Sequence, residues 1–195
     1  DSVHSGAGSP SGEENRKLTA DDPVRDSLER FIGKPMGEGA VAPEEVNLPM
    51  IRHWVDALDD RNPIYLDEAV AAETRMGGVV APPAMLQTWT MPSPVIAGIA
   101  ERGGAPTAMK SENVVTALDA AGYVGTLATN SELEFERYLR VGDRLKTTSA
   151  LESISPRKRT GLGLGYFVTW ITTYWAGEDE IVGRQLFRIF KFDPS

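Results

Sequence analysis

The chain has 195 residues, 41% of them hydrophobic and 25% charged, with 20 Lys and Arg against 28 Asp and Glu for a formal net charge of −8. That length and apolar share suit one domain with a buried core, while the acidic balance opposes a nucleic-acid partner, which needs a cationic face against its phosphates. The absence of cysteine excludes disulfides and thiolate chemistry, and no stretch reaches the ~20 apolar residues that cross a bilayer.

Residues 1–20 are rich in Ser, Gly, Glu and Pro and nearly free of large apolar side chains, so a tail is expected there and a single domain over residues 21–195. The N-terminus has neither the basic start nor the apolar run of a signal peptide, and the expected location is the cytoplasm, with no membrane partner. Asp22-Pro23 offers a helix start, and Leu28, Phe31 and Ile32 form an apolar stripe that ends at Gly33 and Pro35.

From Asn47 to Asp60, Leu48, Met50, Ile51, Trp54, Val55, Ala57 and Leu58 fill one half of a helical wheel, and Arg52, His53, Asp56, Asp59 and Asp60 fill the other. Asn47 is a suitable N-cap, Pro49 falls in the first turn where it loses no hydrogen bond, and the helix is expected to stop at Arg61-Asn62-Pro63. A short helix follows over Asp67–Glu73. Gly77-Gly78-Val79-Val80-Ala81-Pro82-Pro83 then leads into an apolar run through Met85, Leu86 and Trp89, read as a buried helix broken by Pro92 and Pro94.

From Ser131 to Phe192, runs rich in aromatic and β-branched residues alternate with turn signals at Val141-Gly142-Asp143, Ser155-Pro156 and Ala176-Gly177-Glu178-Asp179. Consecutive antiparallel strands are expected. Helices first and strands afterwards is an α+β order, and a curved antiparallel sheet wrapped around a central apolar helix suits it.

The stretch Asp59-Asp60-Arg61-Asn62-Pro63-Ile64-Tyr65, followed by Gly77-Gly78-Val79-Val80-Ala81-Pro82-Pro83, resembles the signature of MaoC-like (R)-specific enoyl-CoA hydratases, Gly-Asp-x-Asn-Pro-(Leu/Ile/Val)-His and a glycine-rich entry to the buried helix. The resemblance spans about residues 22–193 and implies a hot-dog fold. In catalytic members the Asp and His act as base and acid on a water added to the enoyl thioester. Asp60 matches that Asp and Asn62 that Asn, but Tyr65 stands in place of the His and Asp59 in place of the Gly. A phenol of pKa ~10 shuttles protons poorly beside an imidazole near ~6.5, and such groups contribute ~10²–10⁴-fold. The motif is therefore expected to be degenerate, with a partner chain supplying Asp and His.

The resemblance implies a catalytically incomplete, substrate-binding subunit that pairs with a catalytic MaoC-like chain as a heterodimer or heterotetramer. It further implies an acyl-CoA substrate and no cofactor beyond the coenzyme A of that substrate. The run from Asn47 through Trp89, and Gly183-Arg184-Gln185-Leu186-Phe187-Arg188, resemble the steroid-side-chain hydratases of cholesterol-degrading bacteria. The alternatives are the non-catalytic subunit of a (3R)-hydroxyacyl dehydratase of fatty-acid elongation and a non-enzymatic acyl-CoA-binding or assembly module. Expected substrate-binding residues are Gly77, Gly78 and Val79 near the thioester and Met85, Leu86 and Trp89 near the acyl tail. Arg157, Lys158 and Arg159 are candidates for the coenzyme A phosphates or simply a solvated loop tip. Of the histidines, His4 lies in the tail, and His53 lies about 10 Å along the helix axis from Asp60, too far for a direct hydrogen bond. No metal site is expected.

Overall fold

The computed structural model describes residues 22–101 and 112–194; the tail expected over 1–20, and His4 with it, lies outside them. Among the described residues, four α-helices precede the sheet: α1 (Pro23–Leu28), α2 (Leu48–Leu58), α3 (Glu68–Ala72) and α4 (Val114–Ala120). Their starts follow local chemistry. Asp22 accepts from the Arg25 N–H, and Asn47 accepts from the Met50 N–H at 3.0 Å. Asp67 and Asn113 each accept from two N–H groups of the first turns of α3 and α4. α2 ends two residues earlier than expected, because Asp59 turns left-handed at φ 53°, a conformation short polar side chains tolerate.

Five antiparallel strands form one curved sheet: β1 (Gly125–Phe135), β2 (Leu145–Ile154), β3 (Lys158–Thr160), β4 (Gly163–Ala176) and β5 (Glu180–Asp193). The order β1-β5-β4-β2, with β3 also on β4, departs from the expected run of consecutive neighbours. The chain crosses from β1 at one edge to β2 at the other. One face of the sheet carries two apolar clusters. The first packs Ile51 and Val55 of α2 with Met85, Leu86, Trp89, Leu145 and Val182. The second packs Val114 and Leu118 of α4 with Leu28, Leu151, Tyr166 and Ile189.

The α+β hot-dog architecture is present, but the helix expected after Pro83 is not. Two single 3-10 turns, Pro83–Met85 and Thr88–Thr90, stand in its place, and the helices that pack on the buried face are α2, over the first cluster, and α4 with the end of α1, over the second. Met85, Leu86 and Trp89 are nevertheless at most 5% exposed, so the apolar pattern was correct about burial and wrong about helix.

The two sheet edges differ. Along β2, backbone bonds from Met36 N to Ser149 O, Thr147 N to Ala40 O and Ala42 N to Leu145 O seal the edge with residues 33–42. Gly39 is required there, since a Cβ would lie 2.1 Å from the Thr147 carbonyl oxygen. The far edge of β1 is unpaired among the described strands, and Leu127 and Phe135 on it are exposed.

Candidate functional site

The turn after α2 is held by its own side chains. Asp60 Oδ1 accepts from the Asn62 N–H at 3.0 Å, and Asn62 Oδ1 accepts from the Ile64 N–H at 3.2 Å and caps the 3-10 turn Pro63–Tyr65. Arg61 pairs with Asp59 and Asp56, on the solvent side. Tyr65 then points inward, 7% exposed within the first apolar cluster. Burial, with Tyr138 and Asp60 nearby, pushes its hydroxyl pKa up. A phenol that is harder to ionise is a still weaker acid and offers even less phenolate to act as a base near neutrality. His53 sits on the exposed face of α2.

Beside this turn the glycine segment meets the β1–β2 connection. Val80 bridges Arg140, Ala81 N donates to Leu139 O at 2.8 Å, and Val80 N reaches Ile64 O at 3.4 Å. Gly77 at φ 71° makes the left-handed turn that brings the segment there. A cavity of about 550 Å³ opens at Gly77, Gly78 and Val79, walled by Glu68, Arg75 and Arg140. A second of about 460 Å³ adjoins it through Arg75, Met76 and Arg140, and reaches Val80, Pro83 and Tyr138. The wall of the second cavity is cross-linked by Arg137, which pairs with both Asp143 and Glu180, lowering the Glu180 carboxyl pKa and raising that of the guanidinium.

The structure thus brings Gly77, Gly78 and Val79 to a cavity close to Tyr65. Met85, Leu86 and Trp89 lie beneath it in the core, outside the walls of both cavities. The Trp89 indole N–H is buried without an acceptor. Arg157, Lys158 and Arg159 are elsewhere. Lys158 pairs with Gly165 at the start of β4, whereas Leu145, next to the cavity loop, pairs with Ala176 at its end, about 35 Å away along an extended strand. Arg157 turns inward, its Nε 4.0 Å from buried Asp22. Arg75, Arg140, Glu68 and Tyr138 are the cavity residues that sequence reasoning passed over. The usable signal was a cation placed two residues ahead of the Gly77-Gly78 pair. Among the described residues no cluster of His, Cys, Asp and Glu could hold a metal ion, and no helix is long and apolar enough to cross a membrane.

A family model described as the FAS1-like dehydratase domain region matches residues 30–185. The chain belongs to this family. It is a MaoC-like hot-dog dehydratase domain. It is 41% identical over 168 residues to the probable enoyl-CoA hydratase alpha subunit of Thermomonospora curvata, covering 86% of this chain and 51% of that protein. It is 35% identical over 178 residues to the 3-oxo-4,17-pregnadiene-20-carboxyl-CoA hydratase alpha subunit of Mycobacterium tuberculosis, covering 91% and 55%. The chain spans about half the length of these curated relatives. A chain in the crystal structure of the ChsH1-ChsH2 complex from Mycobacterium tuberculosis superposes with a TM-score of 0.72 at 34% identity, covering 88% of this chain and 92% of that one. The MaoC-like domain therefore carries its cavity where the glycine segment, the Tyr65 turn and the β1–β2 connection converge.

Proposed function

We propose that this dehydratase-family domain is the substrate-binding, catalytically incomplete subunit of an enoyl-CoA hydratase. It pairs in the cytoplasm with a second hot-dog chain that supplies the catalytic Asp and His. The reaction adds water across the double bond of a 2-enoyl thioester. A base takes a proton from water as oxygen bonds C3, and an acid delivers a proton to C2. Tyr65 carries the reading: the residue at the position of the family's imidazole is a buried phenol with its pKa pushed up. Asp60 and Asn62 are meanwhile committed to holding the turn.

The substrate is a bulky 2-enoyl-CoA of the steroid-side-chain type. The relative that is a 3-oxo-4,17-pregnadiene-20-carboxyl-CoA hydratase alpha subunit supports that choice. The edge of β1, unpaired among the described residues, suits a partner joining by strand pairing.

The test is a hydration assay on this chain alone and after addition of a catalytic hot-dog chain, with a polycyclic and a linear enoyl-CoA. Activity only in the pair, and greater on the polycyclic substrate, is expected. Turnover by this chain alone at neutral pH overturns the split-site reading, and a preference for the linear substrate overturns the steroid one.

A further inference from the structure

Arginines in this domain are mostly committed. Arg25, Arg30, Arg61, Arg137 and Arg184 pair with carboxylates. Arg144 donates to the carbonyls of Ala42 and Pro43. The guanidinium groups of Arg52, Arg75 and Arg140 donate to nothing among the described residues. Arg52 points to solvent from α2, whereas Arg75 and Arg140 both line both adjoining cavities. In a chain of net charge −8, two cations without a salt bridge at one cleft are a local reversal of sign, although Arg140 stands near enough to Glu180 to help lower its carboxyl pKa. An unpaired guanidinium offers a planar fork of donors suited to phosphate oxygens.

The backbone beside them is also uncommitted. Neither the Gly78 nor the Val79 N–H has an acceptor among the described residues, although Val79 is only 7% exposed. Gly78 is half-buried and Val79 buried, and a buried N–H rarely goes unpaired, so the Val79 N–H above all is a donor in want of an acceptor. Open space surrounds the position where a Cβ of Gly77 would stand, and only Glu68 Oε1, at 3.4 Å, approaches that of Gly78. Two carboxylates border the cleft. Glu136 is neutralised by Arg184 at 2.9 Å, whereas Glu68 makes no ion pair and opposes any anion in the first cavity.

We propose that Arg75 and Arg140, with the Gly78 and Val79 N–H groups, form a phosphate site that holds the phosphorylated part of the coenzyme A carried by the thioester. This rests on the acyl-CoA reading above, adds which residues grip the carrier, and moves Gly78 and Val79 from the thioester, where they were expected from the sequence, to the phosphate end of the carrier. The cations named from sequence, Arg157 to Arg159, lie at the other end of β4.

The test measures binding of coenzyme A and of inorganic phosphate to the full chain by calorimetry. Arg75→Ala and Arg140→Ala should each weaken coenzyme A about tenfold, since each removes a charge-assisted contact to an anion, with the fold unchanged by circular dichroism. Glu68→Gln should tighten it, and Arg52→Ala should leave it unaltered. Unchanged affinity in the R75A/R140A double variant overturns the site, as does equal weakening by Arg52→Ala. Inorganic phosphate bound as tightly as coenzyme A would overturn the assignment to the carrier.

In the reconstituted pair, the ratio of kcat/KM for an enoyl-CoA to that for the matching enoyl pantetheine thioester, which lacks phosphates, should fall at least tenfold in R75A/R140A. An active pair with this ratio unchanged sinks the phosphate site alone. A pair inactive on every thioester, with coenzyme A binding still lost in R75A/R140A, sinks the hydratase reading and leaves the site standing.

Discussion

Arg137 holds Glu180 through two parallel hydrogen bonds of 2.7 Å, Nε to Oε1 and Nη2 to Oε2, joining the connection after β1 to the start of β5. The same guanidinium donates to Asp143 at 2.6 Å and to the Tyr138 carbonyl at 2.9 Å, so one side chain fixes the loop that carries Arg140. Arg137→Ala should destabilise the fold by about 2 kcal/mol, because half-buried Asp143 loses its partner. Chemical denaturation checks this, and loss of coenzyme A affinity should accompany it.

Glu180 gives a smaller, pH-dependent effect. Its carboxyl pKa is lowered, chiefly by the hydrogen bond from Arg137. Its contribution is therefore present above the ordinary carboxylate pKa and is lost as pH falls through the lowered one. Its side chain is 55% exposed, so solvent screening keeps the contribution under about 1 kcal/mol. Glu180→Gln should reduce stability near neutrality and flatten its decline below about pH 4.5, measured by urea midpoints across the acid range.

The alkaline limb should be steeper. Burial pushes the Tyr174 hydroxyl up to about 12, and burial with Tyr123 and Asp22 raises that of Tyr166. The folded state keeps these protons while the unfolded chain releases its own near ~10. Stability is full below that value and is lost as pH rises toward 12, by about 1.4 kcal/mol per pH unit per group. Tyr174→Phe should remove one group's share of the slope in thermal melts between pH 9 and pH 11.

Gly39→Ala should break the seal on β2. With its Cβ 2.1 Å from the Thr147 oxygen, the segment must leave the sheet edge, costing about 2 kcal/mol or more. Light scattering should then report aggregation that the parent chain does not show.

Ala84 is exposed, between buried Met85 and half-buried Pro83. Ala84→Phe should change stability by less than about 0.5 kcal/mol. A selective loss on polycyclic relative to linear enoyl-CoA in the reconstituted pair would place the acyl tail against this turn.

The α+β order, the helix starts at Asp22 and Asn47, and the Tyr65 substitution were all legible, because each is a local pattern of residue types. The end of α2 was misread because Pro63 is a louder breaker than Asp59, which acts through its own backbone. The helix after Pro83 was inferred from apolar spacing that the structure honours in burial alone. The crossover that seats β1 beside β5, and the meeting of Arg75 with Arg140, arise where segments far apart in sequence dock. No local period records such meetings.

Among the described residues, one side of the sheet is finished by residues 33–42 and the other is bare along β1. Assembly by strand addition accordingly has a direction and a natural stop. A second sheet of the same plan that lays its own bare side against β1 uses up both, and each outer margin is already closed. Such a chain completes a pair and cannot seed a fibre. The same geometry makes the seal at Gly39 a safeguard of assembly as well as of the fold.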